Sequence, residues 1–304
     1  MRAKVLITGG SGLIGSRLTQ LLLQKQYQVI QLGRTRRKAS VPTFVWDVEA
    51  GTVDIEALQG VTHIIHLAGA GVADKRWTPA RKKEILDSRV NATRVLYQTL
   101  HNTPHQVQAV LAASAIGYYG FTLNDTEFTE ESAPGNDFLA QVVKVWEAET
   151  SRFADLQLRT VQVRIGIVLS TRGGALAEMM KPVRWGAGSL LGSGKQWLSW
   201  IHIDDLCNVF IHALEHEQLQ GVVNAVAPHP VTNADFTTTL ATAMKRPLWL
   251  PPVPAFVLKA MLGEMAAMVL EGNKVLPAKI LKHRFQFTFP ELTQALNHLL
   301  ARGL

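Results

Sequence analysis

Short apolar runs alternate with stretches of helical period through the first half of the chain. Val5-Leu6-Ile7 predicts a first strand, and Ile14, Leu18, Leu21 and Leu22 then recur on one face of a helix beginning near Gly15. Val29-Ile30-Gln31-Leu32, Phe44-Val45-Trp46 and His63-Ile64-Ile65-His66-Leu67-Ala68 predict three further strands. A long helix is predicted over 81–100, then a fifth strand through Val110-Leu111-Ala112-Ala113 ending at Ser114. A helix over about 137–153 leads to a sixth strand through Val161, Val163 and Ile165. This alternation predicts βαβ units wound about a parallel sheet.

After Leu169 the period is lost. Gly173, Gly174, Gly186, Gly188, Gly192 and Gly194 punctuate a stretch without clear pattern up to Trp200. A loop that long inside a compact domain is usually functional. A strand-to-helix pattern resumes over 201–214, and Val222-Val223-Asn224-Ala225-Val226 predicts a last sheet strand. The expected fold is therefore α/β, a Rossmann doubly wound parallel sheet with a smaller C-terminal lobe. Residues 1–169 would form the dinucleotide-binding domain, completed by 201–229. Residues 170–200 would be a Gly-rich substrate insert, and 230–304 a C-terminal substrate lobe.

Composition narrows the setting more than the chemistry. The chain has 304 residues, of which 47% are hydrophobic, enough to fill an ordinary globular core. Cys207 is the single cysteine, so no intrachain disulfide can form, and a cytoplasmic or organelle-matrix location is expected. The apolar run from Phe256 to Leu270 is interrupted by Lys259 and Glu264 and is too short to span a bilayer. No signal-peptide pattern precedes the first strand. The formal charge is +7, and its densest cluster is Arg34-Thr35-Arg36-Arg37-Lys38. No aromatic-rich RNA motif or helix-turn-helix pattern accompanies that cluster, so a nucleic-acid partner is not expected.

Thr8-Gly9-Gly10-Ser11-Gly12-Leu13-Ile14-Gly15 joins the first strand to the first helix and contains Gly10-x-Gly12-x-x-Gly15. Glycines are needed because the turn is tight and the backbone must approach a pyrophosphate closely. The helix N-terminus then offers free N–H groups and the positive end of its dipole. Selectivity is read at the end of the second strand. An NAD site places a carboxylate there for the ribose 2′-hydroxyl, whereas this chain reads Leu32-Gly33-Arg34-Thr35-Arg36-Arg37. A guanidinium can grip a 2′-phosphate through two parallel hydrogen bonds, so NADP(H) is the expected cofactor and Arg34 its phosphate contact. Asp47, after the third strand, is expected to meet the adenine amino group.

These residues, with His66-Leu67-Ala68-Gly69, Ser114-Ala115-Ile116-Gly117-Tyr118-Tyr119-Gly120 and Trp200-Ile201-His202-Ile203-Asp204-Asp205, resemble the extended short-chain dehydrogenase/reductases. The segment Gly192-Ser193-Gly194-Lys195-Gln196-Trp197-Leu198-Ser199-Trp200 and the Pro-rich tail resemble an atypical branch, the epimerase-family or cell-division-inhibitor-like proteins. The likeness runs over nearly the whole chain. It implies cofactor contacts at Leu67, Ala68 and Gly69. It also implies a catalytic Ser after the fifth strand and a Tyr-x-x-x-Lys pair on the next helix, where the Tyr exchanges a proton and the Lys lowers its pKa.

Ser114 takes the Ser position, but the pair is missing. The four tyrosines are Tyr27, Tyr97, Tyr118 and Tyr119, and the residues four places on are Gln31, His101, Thr122 and Leu123. Lys144 is the lysine on the helix where the pair belongs, and stands as a candidate cofactor contact. Tyr118 and Tyr119, beside Ser114, are the candidate proton donors. Bringing a phenol from a pKa of about 10 to neutrality takes roughly 4 kcal/mol, which the absent Lys would normally supply. A protonated tyrosine can still donate to a ketone oxygen but serves poorly as a base. The expectation is an NADPH-dependent carbonyl reductase of unidentified substrate with a non-standard site. The alternatives are a non-catalytic NADP(H)-sensing regulator and a sugar-nucleotide epimerase-like enzyme. Lys195, Trp197 and Trp200 are expected to line the substrate pocket, where tryptophans can stack on a flat ligand. No metal site is expected, and the oligomeric state is not fixed by the sequence.

Overall fold

Val5, Leu6 and Ile7 are all fully buried, which fits a central strand covered on both faces. In the computed structural model, which describes residues 3–36 and 40–301, this strand is β1 (Lys4–Thr8). It is followed by α1 (Leu13–Gln24), β2 (Gln28–Gly33), β3 (Thr43–Asp47), β4 (Thr52–Val53) and β5 (His63–His66). Then come α2 (Pro79–Asn102), β6 (Ala109–Ala115), β7 (Glu127–Phe128), α3 (Phe138–Ser151) and β8 (Arg159–Ile165). Thr78 and Asp137 cap α2 and α3 by accepting from Arg81 N and Ala140 N, which fixes where both helices begin.

The second half contributes β9 (Ile167–Leu169), α4 (Gly174–Arg184), β10 (Trp197–Leu198), β11 (Trp200–His202), α5 (Ile203–Glu215) and β12 (Gly221–Ala225). It ends with β13 (Val231–Thr232), α6 (Asn233–Ala243), α7 (Ala255–Leu262), α8 (Ala267–Leu270), β14 (Lys274–Val275), α9 (Ala278–Lys282) and α10 (Leu292–Ala301).

The main sheet has eight strands in the order β12-β8-β6-β5-β1-β2-β3-β4. All pair in parallel except β4, which returns antiparallel along β3. From β1 the chain adds β2 and β3 on one side, then crosses back to add β5, β6, β8 and β12 on the other. That reversal leaves a crevice at the carboxyl ends of β1 and β5, where doubly wound sheets bind ligands.

Strand alternation divides the core. Val5, Ile7, Ile65 and Leu111 pack toward Leu18 and Leu22 of α1 and Leu206 and Phe210 of α5. Leu6, Ile64 and Val110 pack on the other face with Val95 and Leu96 of α2 and the fully buried Phe153. A third cluster joins β9, β11, α4, α6 and α10 around Leu176, Trp200, Phe236 and Leu296.

The patternless segment after Leu169 holds a helix the sequence reading missed. In α4, Leu176, Met180 and Val183 are buried at intervals of four and three. Gly174 starts it with φ +75° and Pro182 lies in its last turn, so the punctuating residues mark its ends. Among the described residues no helix is long and apolar enough to cross a membrane.

Candidate functional site

The loop after β1 is shaped by what cannot fit there. Gly9 has φ +69°, and a Cβ on it would lie 2.9 Å from the Leu67 carbonyl carbon and oxygen. A Cβ on Gly15 would lie 2.4 Å from Gly9 O, so helix and loop can close only over glycine. Gly12 N donates to Gly9 O at 3.0 Å and tightens the turn. Ser11 and Gly12 are exposed, and α1 follows Gly12 at its N-cap with no side-chain cap and no acidic residue in its first turn. Its free N–H groups therefore face outward with the positive dipole end, a fit for a pyrophosphate. Leu13 and Ile14 follow as the half-buried first residues of the helix.

Thr8 locks this loop to the one after β5. Its hydroxyl oxygen accepts from Leu67 N and Ala68 N at 3.1 and 3.3 Å and lies 2.7 Å from His66 Nδ1. His66 is fully buried, and burial pushes its pKa down to about 4. The neutral ring thus accepts at Nδ1 and donates from Nε2 to Thr93 Oγ1, 3.2 Å away. Gly69 continues into the open, its Cα against the Arg89 side chain.

Arg89 is a site residue the sequence reading missed. Its Nη1 donates to Ile85 O and its guanidinium lies 5.2 Å from the Trp146 ring. Among the described residues no carboxylate pairs with it. Burial, with Arg81 nearby, pushes its pKa down to about 10. A half-buried cation without a counter-ion is costly and fits a crevice that receives an anion. The signal was available: Ile85, Arg89 and Thr93 fall at intervals of four on the inward stripe of α2, where a charge is out of place.

At the far end of the crevice Arg34 is exposed just beyond β2 and has no carboxylate partner among the described residues. Arg36 lies 3.6 Å from Asp54. Arg37 and Lys38 lie outside the described residues. Asp47 is exposed at the end of β3, where its Oδ1 accepts from Glu49 N and Ala50 N.

The loop after β6 departs from expectation. Ser114 is buried and donates to Glu147 Oε1 at 2.5 Å. Glu147 holds Arg164 through two bonds of 2.8 Å, and Arg164 Nη1 donates to the Tyr119 hydroxyl at 3.0 Å. Tyr119, only 2% exposed, donates in turn to Asn224 Oδ1 at 2.7 Å. Burial alone would push the Arg164 guanidinium down; the paired Glu147 outweighs it and raises the pKa. Burial also raises the Tyr119 phenol above its ordinary value, despite Arg164 beside it. Ser114 and Tyr119, expected to act on substrate, are instead consumed inside a network of β6, α3, β8 and β12. Tyr118 alone stays half-exposed, its ring 3.4 Å from the Arg164 guanidinium carbon.

The helix that should carry the Tyr-Lys pair corrects a further expectation. Lys144 is exposed on α3. The face toward the β6 loop carries Leu139 and Val143, both buried and four apart, within 3.4 and 3.9 Å of the Cβ position of Gly117. The interval of the expected pair is there, in apolar residues.

The expected substrate residues part company as well. Trp200 is fully buried in the third cluster and donates to His229 O at 3.1 Å, so it fills core rather than lining a pocket. Trp197 is half-buried, donates to Asp125 Oδ1 at 2.9 Å, and has Lys274 Nζ 5.0 Å from its ring. Lys195 is exposed on the adjoining turn. Buried Gln196 donates to Leu191 O and Val269 O, tying the insert to α8. Asp204 holds Arg17 of α1, and Asp205 accepts from Thr288 N and Phe289 N, so both serve the frame.

Residues 5–225 match the model of the NAD dependent epimerase/dehydratase family, and residues 253–299 match one described as a domain of unknown function, DUF1731. The chain is 39% identical over 303 residues to the chloroplastic epimerase family protein SDR39U1 homolog of Arabidopsis thaliana, covering 97% of this chain and 86% of that one. It is 37% identical over 300 residues to the epimerase family protein YfhF of Bacillus subtilis, covering 98% of each. The crystal structure of human epimerase family protein SDR39U1 (isoform 2) with NADPH matches at a TM-score of 0.89 and 36% identity, over 99% of this chain and 100% of that one. With its glycine cradle, its sheet order and matches spanning nearly its full length, the chain belongs to the NAD dependent epimerase/dehydratase family.

Proposed function

We propose that this protein binds NADPH and reduces the carbonyl group of a small molecule, with Tyr118 as the proton donor. The cradle of Gly9–Leu13 would hold the pyrophosphate, Arg34 the 2′-phosphate, and Leu67–Gly69 with Arg89 the middle of the cofactor. Bound NADPH supplies a hydride at the nicotinamide. The observation that carries the reading is Tyr118: the one tyrosine on the loop after β6 whose hydroxyl has no protein partner among the described residues. Arg164 stacks on its ring and fixes the phenol's orientation. Only reduction is favoured, because no lysine stands by to turn the phenol into a base. An epimerase, which must strip a proton from a substrate hydroxyl, fits this site least. The NADPH-bound human relative supports the cofactor, and the bacterial and chloroplastic relatives fit a cytoplasmic or matrix setting.

A second reading, an NADP(H)-responsive regulator without turnover, is favoured by Leu139 and Val143 standing at the interval of the catalytic pair. One experiment separates the two. Purified protein is given deuterated NADPH and a panel of aldehydes, ketones and quinones, and label transfer is followed in the wild type and in Tyr118→Phe. The reductase reading expects transfer to at least one acceptor, falling about 100-fold or more in the variant, with alcohol oxidation slower at neutral pH. Tight NADPH binding without transfer to any acceptor establishes the regulator instead.

A further inference from the structure

We propose that the C-terminal lobe docks this protein onto the surface of an anionic lipid bilayer, through α7 and the tryptophans beside it. Helix α7 has the sequence Ala-Phe-Val-Leu-Lys-Ala-Met-Leu, yet only Leu258 is buried. Phe256 with Ala260, and Val257 with Met261, stand at intervals of four and form one apolar face directed away from the core. Phe256 and Met261 are 73% and 66% exposed. Trp185 and Trp249 are 85% and 71% exposed, more than their ordinary role as core fillers allows.

The two segments that carry these residues run side by side. Val253 N donates to Leu190 O and Gly192 N to Val253 O, each at 2.9 Å, and Ser189 Oγ donates to Pro251 O. Leu248 abuts Gly188. The turn after α4, which carries Trp185, is thereby held against the segment that carries Trp249 into α7.

Charge selects the occupant. Residues 179–190 and 244–262 contain Lys181, Arg184, Lys245, Arg246 and Lys259 and no Asp or Glu. All five are exposed, and only Lys181 has a carboxylate partner among the described residues, Glu178. A second copy would bring five cations against five. A nucleic acid would pair with the cations but leave the apolar face of α7 wet. Aromatic and aliphatic side chains ringed by cations suit the boundary between acyl chains and anionic headgroups. The helix is far too short to span, so the protein would lie on the bilayer.

Flotation of the full chain with phosphatidylcholine vesicles, with and without about 30% phosphatidylglycerol, tests this at low and high salt. The protein is expected to float with the anionic vesicles only and to be released by salt. Its tryptophan emission should shift to the blue and be quenched by brominated acyl chains. Phe256→Ser with Met261→Ser should lower the bound fraction at least tenfold, and Lys245→Gln with Arg246→Gln about as much, at about fivefold per charge. All these side chains are exposed, so melting temperatures within a few degrees of the wild type confirm that folding is intact. Failure to float with anionic vesicles at low salt overturns the proposal. So does retained flotation of the Phe256→Ser, Met261→Ser protein, as does a stable dimer or an RNA complex that the same substitutions abolish.

Discussion

The loop after β1 and the loop after β6 stand at the carboxyl ends of two strands of one sheet, yet they are built from different material. In the first the backbone sets the shape. A Cβ on Gly9 or Gly15 would collide with neighbouring backbone, and what the loop can offer a ligand is main-chain amides. In the second, function depends on which way side chains turn, and nearly all of them turn inward. Ser114, Glu147, Arg164, Tyr119 and Asn224 satisfy one another. Binding that rests on the main chain can outlast changes that remove the chemistry beside it. A family name taken from the first loop therefore says little about reaction at the second.

The largest effect expected from this contrast is on stability. Glu147→Gln leaves the Arg164 guanidinium buried beside a neutral amide, which should cost about 3–5 kcal/mol in urea denaturation. NADPH affinity of the folded variant should change less than about threefold. A variant as stable as the wild type but without reductase activity would break the contrast, because Ser114 and Glu147 would then be acting on substrate.

Next comes the pH dependence of the cradle. His66 is held neutral in the folded protein with a pKa near 4, against 6.5 when exposed. Between these values the unfolded chain takes up the proton and the folded chain does not. The stability this group contributes is full above pH 6.5 and is lost as pH falls toward 4, by about 3 kcal/mol. His66→Asn should remove that part of the slope in denaturation curves measured from pH 7 to pH 4. An unchanged slope would mean that Thr8 and Thr93 do not hold the ring as described.

Smaller again is the effect of Arg34. Arg34→Ala should weaken NADPH binding about 10- to 150-fold and leave NADH almost untouched, since a charge-assisted bond to a phosphate is worth about 1.5–3 kcal/mol. Equal losses for both cofactors by calorimetric titration would move the 2′-phosphate to another cation.

What could be read from the sequence follows the same line. Seven strands of the sheet and the glycine loop were legible because periodicity and excluded volume are properties of residue type; β4, two residues at the edge, is too short to show a period. Helix α4 was obscured because Gly173, Gly174 and Gly186 read as loop when they flank it, although Leu176, Met180 and Val183 carried the period. Trp200 looked like a stacking platform, and residue type could not tell it from Trp197 three places earlier. One lies in the core and the other at its rim. Ser114 was placed on the right loop but its direction was not. Partners 33 and 50 positions away, Glu147 and Arg164, decide that, and pairing over such distances leaves no local mark. Arg89 left one: a charge on an inward stripe.

The smallest predicted effect bears hardest on the contrast. Lys144 is the only lysine on the helix where a catalytic one belongs, so an alignment by residue type would give it the role. It is exposed and hydrogen-bonds to no protein group among the described residues, while Leu139 and Val143 occupy the face toward the β6 loop. Lys144→Ala should therefore change stability by no more than about 0.5 kcal/mol. NADPH affinity and any reductase rate should stay within about twofold, because a solvated ammonium is screened from the crevice. The converse substitution sharpens the result. Val143→Lys would bury an ammonium beside Leu139, one turn from a Glu147 already bonded to Arg164 and Ser114, and should cost several kcal/mol or drop the lysine pKa. If Lys144→Ala instead abolished activity in a stably folded protein, α3 would have to rotate on cofactor binding by enough to exchange its faces, and the network of Ser114, Glu147 and Arg164 would have to break with it.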